Sequence, residues 1–231
     1  MPAEITCTAS LPLYFASQSE RIMKNEPNAS EAAEQLRTIR SLMERATVYR
    51  AISAPAALVA GVLSVGLSWW QEWQMGWGGE LGSERFTGEW MMVLVVVSLL
   101  NVGMLWRSAC GRGEPFVSAG MKLALGALVP PLVAGFVLGM LAAEAAPRDP
   151  VQVSSCWILF YGLALRATGS FAPRSIQRLG LAFFVAGLLS FLPSVRQLAG
   201  PAVAPLFFMA LTFGLFHLVY AAAVFLSNRR A

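Results

Sequence analysis

One residue in this chain has the type and the setting to do chemistry inside an apolar medium. His217 is the sole histidine, and it falls near the middle of a long apolar segment at about 203–227. Tyr220 lies three residues on and shares its helical face. A mid-membrane imidazole can relay protons, ligate a porphyrin or bind a solute. It can equally be a neutral ring hydrogen-bonded to another helix. Asn101, Tyr161 and Ser190, each in a different apolar segment, are candidate partners, with Ser190 disfavoured by depth. A single histidine with no second ligand and no carboxylate beside it does not make a metal site, so neither a metal nor a cofactor is expected. A haem or pigment on His217 is the outlying alternative.

A second feature is Pro130-Pro131, near the centre of an apolar segment at about 121–143. Each proline removes a backbone donor, so the carbonyls one turn earlier lose partners. The pair predicts a helix break, a device that recurs in transporter sites, or a plain kink resolved by neighbouring helices. Other chemistry is missing. No Asp or Glu lies well inside an apolar segment, which argues against a carboxylate-driven pump. There are no paired intramembrane Asp residues, no His-Glu-x-x-His run, no P-loop, no dinucleotide fingerprint and no nucleophile elbow. No catalytic residue is assigned, and a non-enzyme is expected.

The elements that would position these residues follow from composition. Of 231 residues 56% are apolar and 13% are charged, where a soluble domain carries roughly 25% charged residues. The charges fall in gaps between long uncharged stretches, as they do when lipid replaces water as the solvent. Six segments predict membrane-spanning helices, at about 51–70, 88–106, 121–143, 151–166, 176–194 and 203–227. The expected fold is therefore all-α, a polytopic bundle of six transmembrane helices. Charge placement sets the direction: of 17 Lys and Arg, all but Arg85, Arg148 and Arg196 fall on one side, alternating at every crossing. By the positive-inside rule that side is cytoplasmic and holds both termini, including the tail 228–231. Cys7, Cys110 and Cys156 have no paired spacing. No secretory signal is present, so the first span is expected to act as its own signal.

Trp69, Trp70, Trp73, Trp77 and Trp90, with Glu72, Glu80, Glu84 and Glu89, cluster around the first outer loop and predict an interfacial aromatic belt. Residues 30–50 predict an amphipathic cytoplasmic or interfacial helix. Ser30 is its N-cap, and Leu36, Ile39, Leu42, Met43, Ala46 and Tyr49 form one stripe. That stripe would lie on the bilayer or pack on a second copy or a membrane-protein partner. Residues 1–29 read as poorly ordered, and Met23-Lys24-Asn25 reads as a natural translation start. The net charge of +4 comes from residues beside the spans, so no nucleic-acid partner is expected.

The odd-numbered spans share a short pattern: Val59-Ala60-Gly61, Val133-Ala134-Gly135 and Val185-Ala186-Gly187. Gly103 to Arg107 repeats the spacing of Gly162 to Arg166. Three parallel helical hairpins are one expectation, with Gly61, Gly135, Gly139 and Gly187 as helix-packing positions. Several runs together resemble a group of bacterial six-span inner-membrane proteins of unknown function. They are LRTIRSLMERATVYRAISAPAALVAGVLS, LVPPLVAGFVLG, YGLALRATG followed by RSIQRLGL, and GLFHLVYA, in that order and spacing. The resemblance covers most of 36–225, departs from the group at the Trp- and Gly-rich loop of 73–85 and in the abrupt tail, and implies the same architecture. It marks His217 and Tyr220 as positions to test and implies no mechanism. The expected function is a non-enzymatic accessory, regulatory or assembly component. The alternative is a carrier or channel for a neutral or weakly polar solute, using Pro130-Pro131 and His217.

Overall fold

The computed structural model describes residues 33–39, 54–76, 81–112, 117, 119–169, 172–200 and 203–228. All regular structure among them is helical. The chain divides into two units, Met1–Met43 and Glu44–Ala231. In the first, 33–39 is a helix with every residue exposed, including Leu36 and Ile39. Thr38 Oγ1 donates to the Glu34 carbonyl at 2.9 Å. The rest of the expected stripe, Leu42, Met43, Ala46 and Tyr49, lies outside the described residues, as do residues 1–29 and the tail beyond 228.

The second unit is a helix bundle. Its elements are α1 (Ala54–Gly76), α2 (Ser83–Arg112), α3 (Ala119–Ala145), α4 (Val151–Ala167), α5 (Arg174–Ser190) and α6 (Pro193–Ala199). A last helical run follows, made of α7 (Ala204–Met209), a π-helical segment (Ala210–Phe216) and α8 (His217–Asn228). Four of these helical runs are long and apolar enough to cross a membrane: α1, α2, α3 and the last. The broken pair α5–α6, bent by 96°, makes a fifth if it counts as one span. The helix α4 has 17 residues and falls short of that test.

Packing follows small residues rather than apolar content. α4 is the hub, packed most closely on α5 and α3. A Cβ on Gly162 would run into the Phe184 backbone, and one on Gly187 into the Leu159 backbone. Those two glycines therefore let α4 and α5 touch main chain to main chain. On the other side of α4, Gly135 and Gly139 of α3 form flat seats for Phe160 and Trp157. Gly61 of α1 lies against Leu218 and the Gly214 carbonyl, so α1 pairs with the last helical run.

Two expectations are corrected here. The third hairpin, α5 with the last helix, is not a packing unit: α5 packs on α4 and the last run packs on α1, because the close-approach glycines face those partners. Gly103 shares the spacing of Gly162 but has open space where a Cβ would stand, so the two positions are not equivalent. The helix break at Pro130-Pro131 is also absent. α3 runs through both prolines without interruption. Each ring removes a donor and crowds the carbonyl one turn back, but neighbouring helices and small local adjustments can accommodate that in a membrane helix.

Polar groups fasten one end of the bundle. Gln71 of α1, fully buried, donates to Glu89 at 2.6 Å and accepts from the Trp90 indole at 3.2 Å. Arg85 closes on the same carboxylate at 2.9 Å. The Ser83 amide donates to the Pro147 carbonyl at 2.7 Å, which ties the start of α2 to the α3–α4 turn. Arg196 of α6 donates to the Ser190 carbonyl at 2.7 Å, holding the bend after α5, and Gly200, with φ 86°, ends α6. Trp69, Trp70 and Trp73 are exposed as an aromatic belt requires, but Trp90 is not part of it. Gln71 supplies its N–H with a partner, and that lets the ring enter the core.

Candidate functional site

The last helical run carries the irregularity that α3 lacks. From Ala210 to Phe216 the backbone widens to a π-helix, in which hydrogen bonds span i→i+5 and one extra residue is fitted into the turn. Thr212, fully buried, returns its hydroxyl to the Phe208 carbonyl at 2.7 Å, so it adds no free polar group. Gly214 lets α1 approach, where a Cβ would strike Val65. His217 is the first residue after this segment, and its ring stacks on Phe213 at 6.0 Å between centroids with planes 12° apart.

The imidazole is buried, at 7% exposure. Its Nε2 lies 3.1 Å from the hydroxyl of Tyr161 on α4. Its Nδ1 is enclosed without a hydrogen-bond partner. Phe183 packs on both rings, tilted by 59° to Tyr161 at 4.8 Å and edge-on to His217 at 5.4 Å. The pair is thus one hydrogen bond inside an aromatic box contributed by α4, α5 and the last helical run. No charged side chain lines the adjoining pocket.

The box has an open side. A pocket of about 220 Å³ reaches the pair from the direction of α2. Its far wall is Trp90, Met91, Val93, Leu94 and Val97, one face of α2. Its near wall is Ala60 and Ser64 of α1, Gly135 and Phe136 of α3, Trp157, Phe160 and Tyr161 of α4, and Phe213 and His217. The cause is visible in α2. Phe86 and Trp90 are buried, but beyond Trp90 only Ala109 is buried among the described residues of this helix. α2 is held closely at its fastened end, while along its middle the inward positions Met91, Val93 and Val97 are only half-buried.

Of the residues singled out by sequence, the structure brings His217 and Tyr161 together. Tyr220 is buried one turn further along and does not line the pocket. Asn101 sits on α2 one turn past the pocket wall, its Oδ1 enclosed without a partner. Ser190 donates to the Gly187 carbonyl of its own helix at 2.7 Å and has no part in the site. Pro130 and Pro131 lie outside the pocket, whose nearest α3 wall begins at Leu132. Sequence reasoning missed Ser64, Gln71, Trp90 and Phe213. Gln71 carried a signal: it is an amide placed in an apolar helix at the level of Glu89. The described residues hold no cluster of His, Cys, Asp or Glu able to bind a metal, and Cys110 and Cys156 are free thiols. Comparison of the chain with family models, with curated proteins and with solved structures returns no match.

What the arrangement can do chemically is limited and specific. A neutral His–Tyr pair offers either an O–H donor or a hydroxyl acceptor to a neighbour, depending on which ring nitrogen carries the proton. The rest of the wall offers aromatic faces and aliphatic side chains, together with the Ser64 hydroxyl and Trp157, whose enclosed indole N–H has no partner. Such a site suits binding, with one polar handle to fix orientation.

Proposed function

We propose that this chain is a non-enzymatic, six-span membrane protein that takes up a neutral, largely apolar small molecule sideways from the bilayer, between α2 and the bundle. The observation that carries the reading is the pocket walled by α2 and open onto the buried Tyr161–His217 pair. It modifies the carrier expectation in two respects. The cavity is largely apolar, which suits an apolar rather than a weakly polar solute, and the backbone irregularity beside it is the π segment rather than the proline pair.

The six-span count rests on treating α4 and α5 as short spans. A helix of 17 residues is roughly 26 Å long at about 1.5 Å per residue, against a hydrocarbon core of about 30 Å. The charge alternation supports the same count, with both termini on the cytoplasmic side. Placement in a bacterial inner membrane rests on the sequence resemblance.

Native mass spectrometry from lipid nanodiscs tests the binding. The wild type is expected to carry one extra mass per chain, lost on substitution of the pocket-lining Ala60→Phe. Equal occupancy in both would overturn the reading. A second reading, an accessory protein docking through residues 30–50, is favoured by the exposed Leu36 and Ile39. Replacing both with Glu should then release a homo-oligomer or a stoichiometric partner; an unchanged assembly would remove it.

A further inference from the structure

We infer that the pocket holds a membrane-soluble quinone and its quinol, a ring carbonyl that becomes a ring hydroxyl on reduction. The inference rests on the lateral-pocket reading and concerns binding alone.

Depth comes first. His217 is the fourteenth residue of the run Ala204–Asn228, so roughly 16–20 Å of helix lies on either side of it at about 1.5 Å per residue. A polar handle at that depth does not meet a phospholipid headgroup, and no charged side chain lines the pocket to receive one. The occupant must dissolve wholly in the hydrocarbon and still bring a polar atom to its middle.

Size and shape come next. A cavity of about 150 Å³ lined by apolar side chains takes up benzene. The 220 Å³ here has room for a ring with several substituents. The walls are rings: Trp90, Phe136, Trp157, Phe160 and Phe213. They favour a flat ligand through offset and edge contacts. The apolar face of α2 beyond Trp90, exposed along its length, gives an alkyl or isoprenoid tail a continuous surface to follow.

The hydrogen-bond logic selects among flat rings. If Nε2 of His217 carries the proton, it donates to the Tyr161 oxygen, and the Tyr161 O–H is left to donate to a carbonyl. If Nδ1 carries it, Tyr161 donates to Nε2, and the phenol oxygen is left to accept from a hydroxyl. One pair therefore matches both members of a couple that differ by carbonyl and hydroxyl, through a shift of tautomer. The backbone of Thr212 and Phe213 lies near the ring and can receive a proton on Nδ1, but no well-formed bond fixes one there, so both tautomers stay open. A sterol or polyprenol would use only one of them.

The test titrates wild-type protein in nanodiscs with three probes: a decyl-substituted benzoquinone, its quinol, and decylbenzene. Binding is read by calorimetry, and fold by helical circular dichroism. Tyr161→Phe should weaken quinone and quinol about three- to tenfold, the range expected for one neutral hydrogen bond. It should leave decylbenzene unchanged, and Ala60→Phe should abolish all three. Should Tyr161→Phe fail to fold, His217→Phe carries the same expectations. If quinone, quinol and decylbenzene bind alike and Tyr161→Phe shifts none of them, the quinone inference is overturned and the lateral pocket stands. If no probe saturates, or Ala60→Phe changes nothing, the pocket reading falls and the inference with it.

Discussion

α2 and α4 are placed in the reverse of the order that their sequences suggest. α2 is the longer, at 30 residues, and passes the membrane-span test, yet only 6% of its span is buried inside the protein. α4 has 17 residues, fails that test, and sits at the centre with Ser154 and Ser155 fully buried. In water the helix with the longer uninterrupted apolar stretch would be inside. In lipid, apolar side chains gain little by leaving one hydrocarbon environment for another, so contact is decided by close packing and polar bonds. α4 has both: glycine seats on each side and serines returned to its own carbonyls, as Ser154 to Val151 at 2.8 Å. α2 has its buried rings and its bonds to Gln71 and the Pro147 carbonyl at its first two turns. The pocket is the consequence of that difference along one helix.

The comparison can be broken most forcefully at its glycines. Gly162→Leu puts a side chain into the Phe184 backbone and should destabilise the bundle by about 3 kcal/mol or more. Gly103→Leu, at the matching spacing in α2, meets nothing within 4 Å and should stay within about 0.5 kcal/mol of wild type. Thermal unfolding of the two variants in the same detergent checks the pair, and similar losses would remove the argument. Next in size is Gln71→Leu, which leaves the buried Trp90 N–H without an acceptor and takes a donor from Glu89. A loss of about 1–3 kcal/mol is expected, with α2 released from α1, read by melting and by spin-label distances between the two helices.

Tyr161→Phe strips the His217 Nε2 of its partner and should reduce stability by about 0.5–1.5 kcal/mol. A change below that range would mean that the bond is not formed in the membrane. The smallest effect is expected at Asn101, whose enclosed Oδ1 has no partner to lose. Asn101→Leu should be neutral or stabilising in the same melts, and a clear loss would point to a bond across α2 to another chain.

Much of this was legible one residue at a time and little of it pair by pair. His217 stood out by type and depth, and Tyr161 was among its named candidate partners because polar groups in apolar spans tend to find one another. Helix positions were read from length and charge, and α2 runs on to Arg112, past the expected end at 106. Trp90 was read as interfacial because its neighbours are; only the distant Gln71 makes it a core residue. The prolines looked like the break and the π segment gave no warning, since Ala210–Phe216 contains no residue that forbids an ordinary helix. Which helices pair was hidden as well. A Val-Ala-Gly pattern states that a backbone can be approached, not by what.

The most direct test of the central claim is labelling from the bilayer. An alkyl diazirine, dissolved in nanodiscs and photolysed, is mapped residue by residue by mass spectrometry. A pocket reached sideways predicts modification of the half-buried Trp157, Phe160 and Phe213 as well as the exposed Leu99 and Val95, with the inward labels suppressed by Ala60→Phe. Labels confined to Leu99, Val95 and their exposed neighbours, identical in wild type and variant, would contradict it.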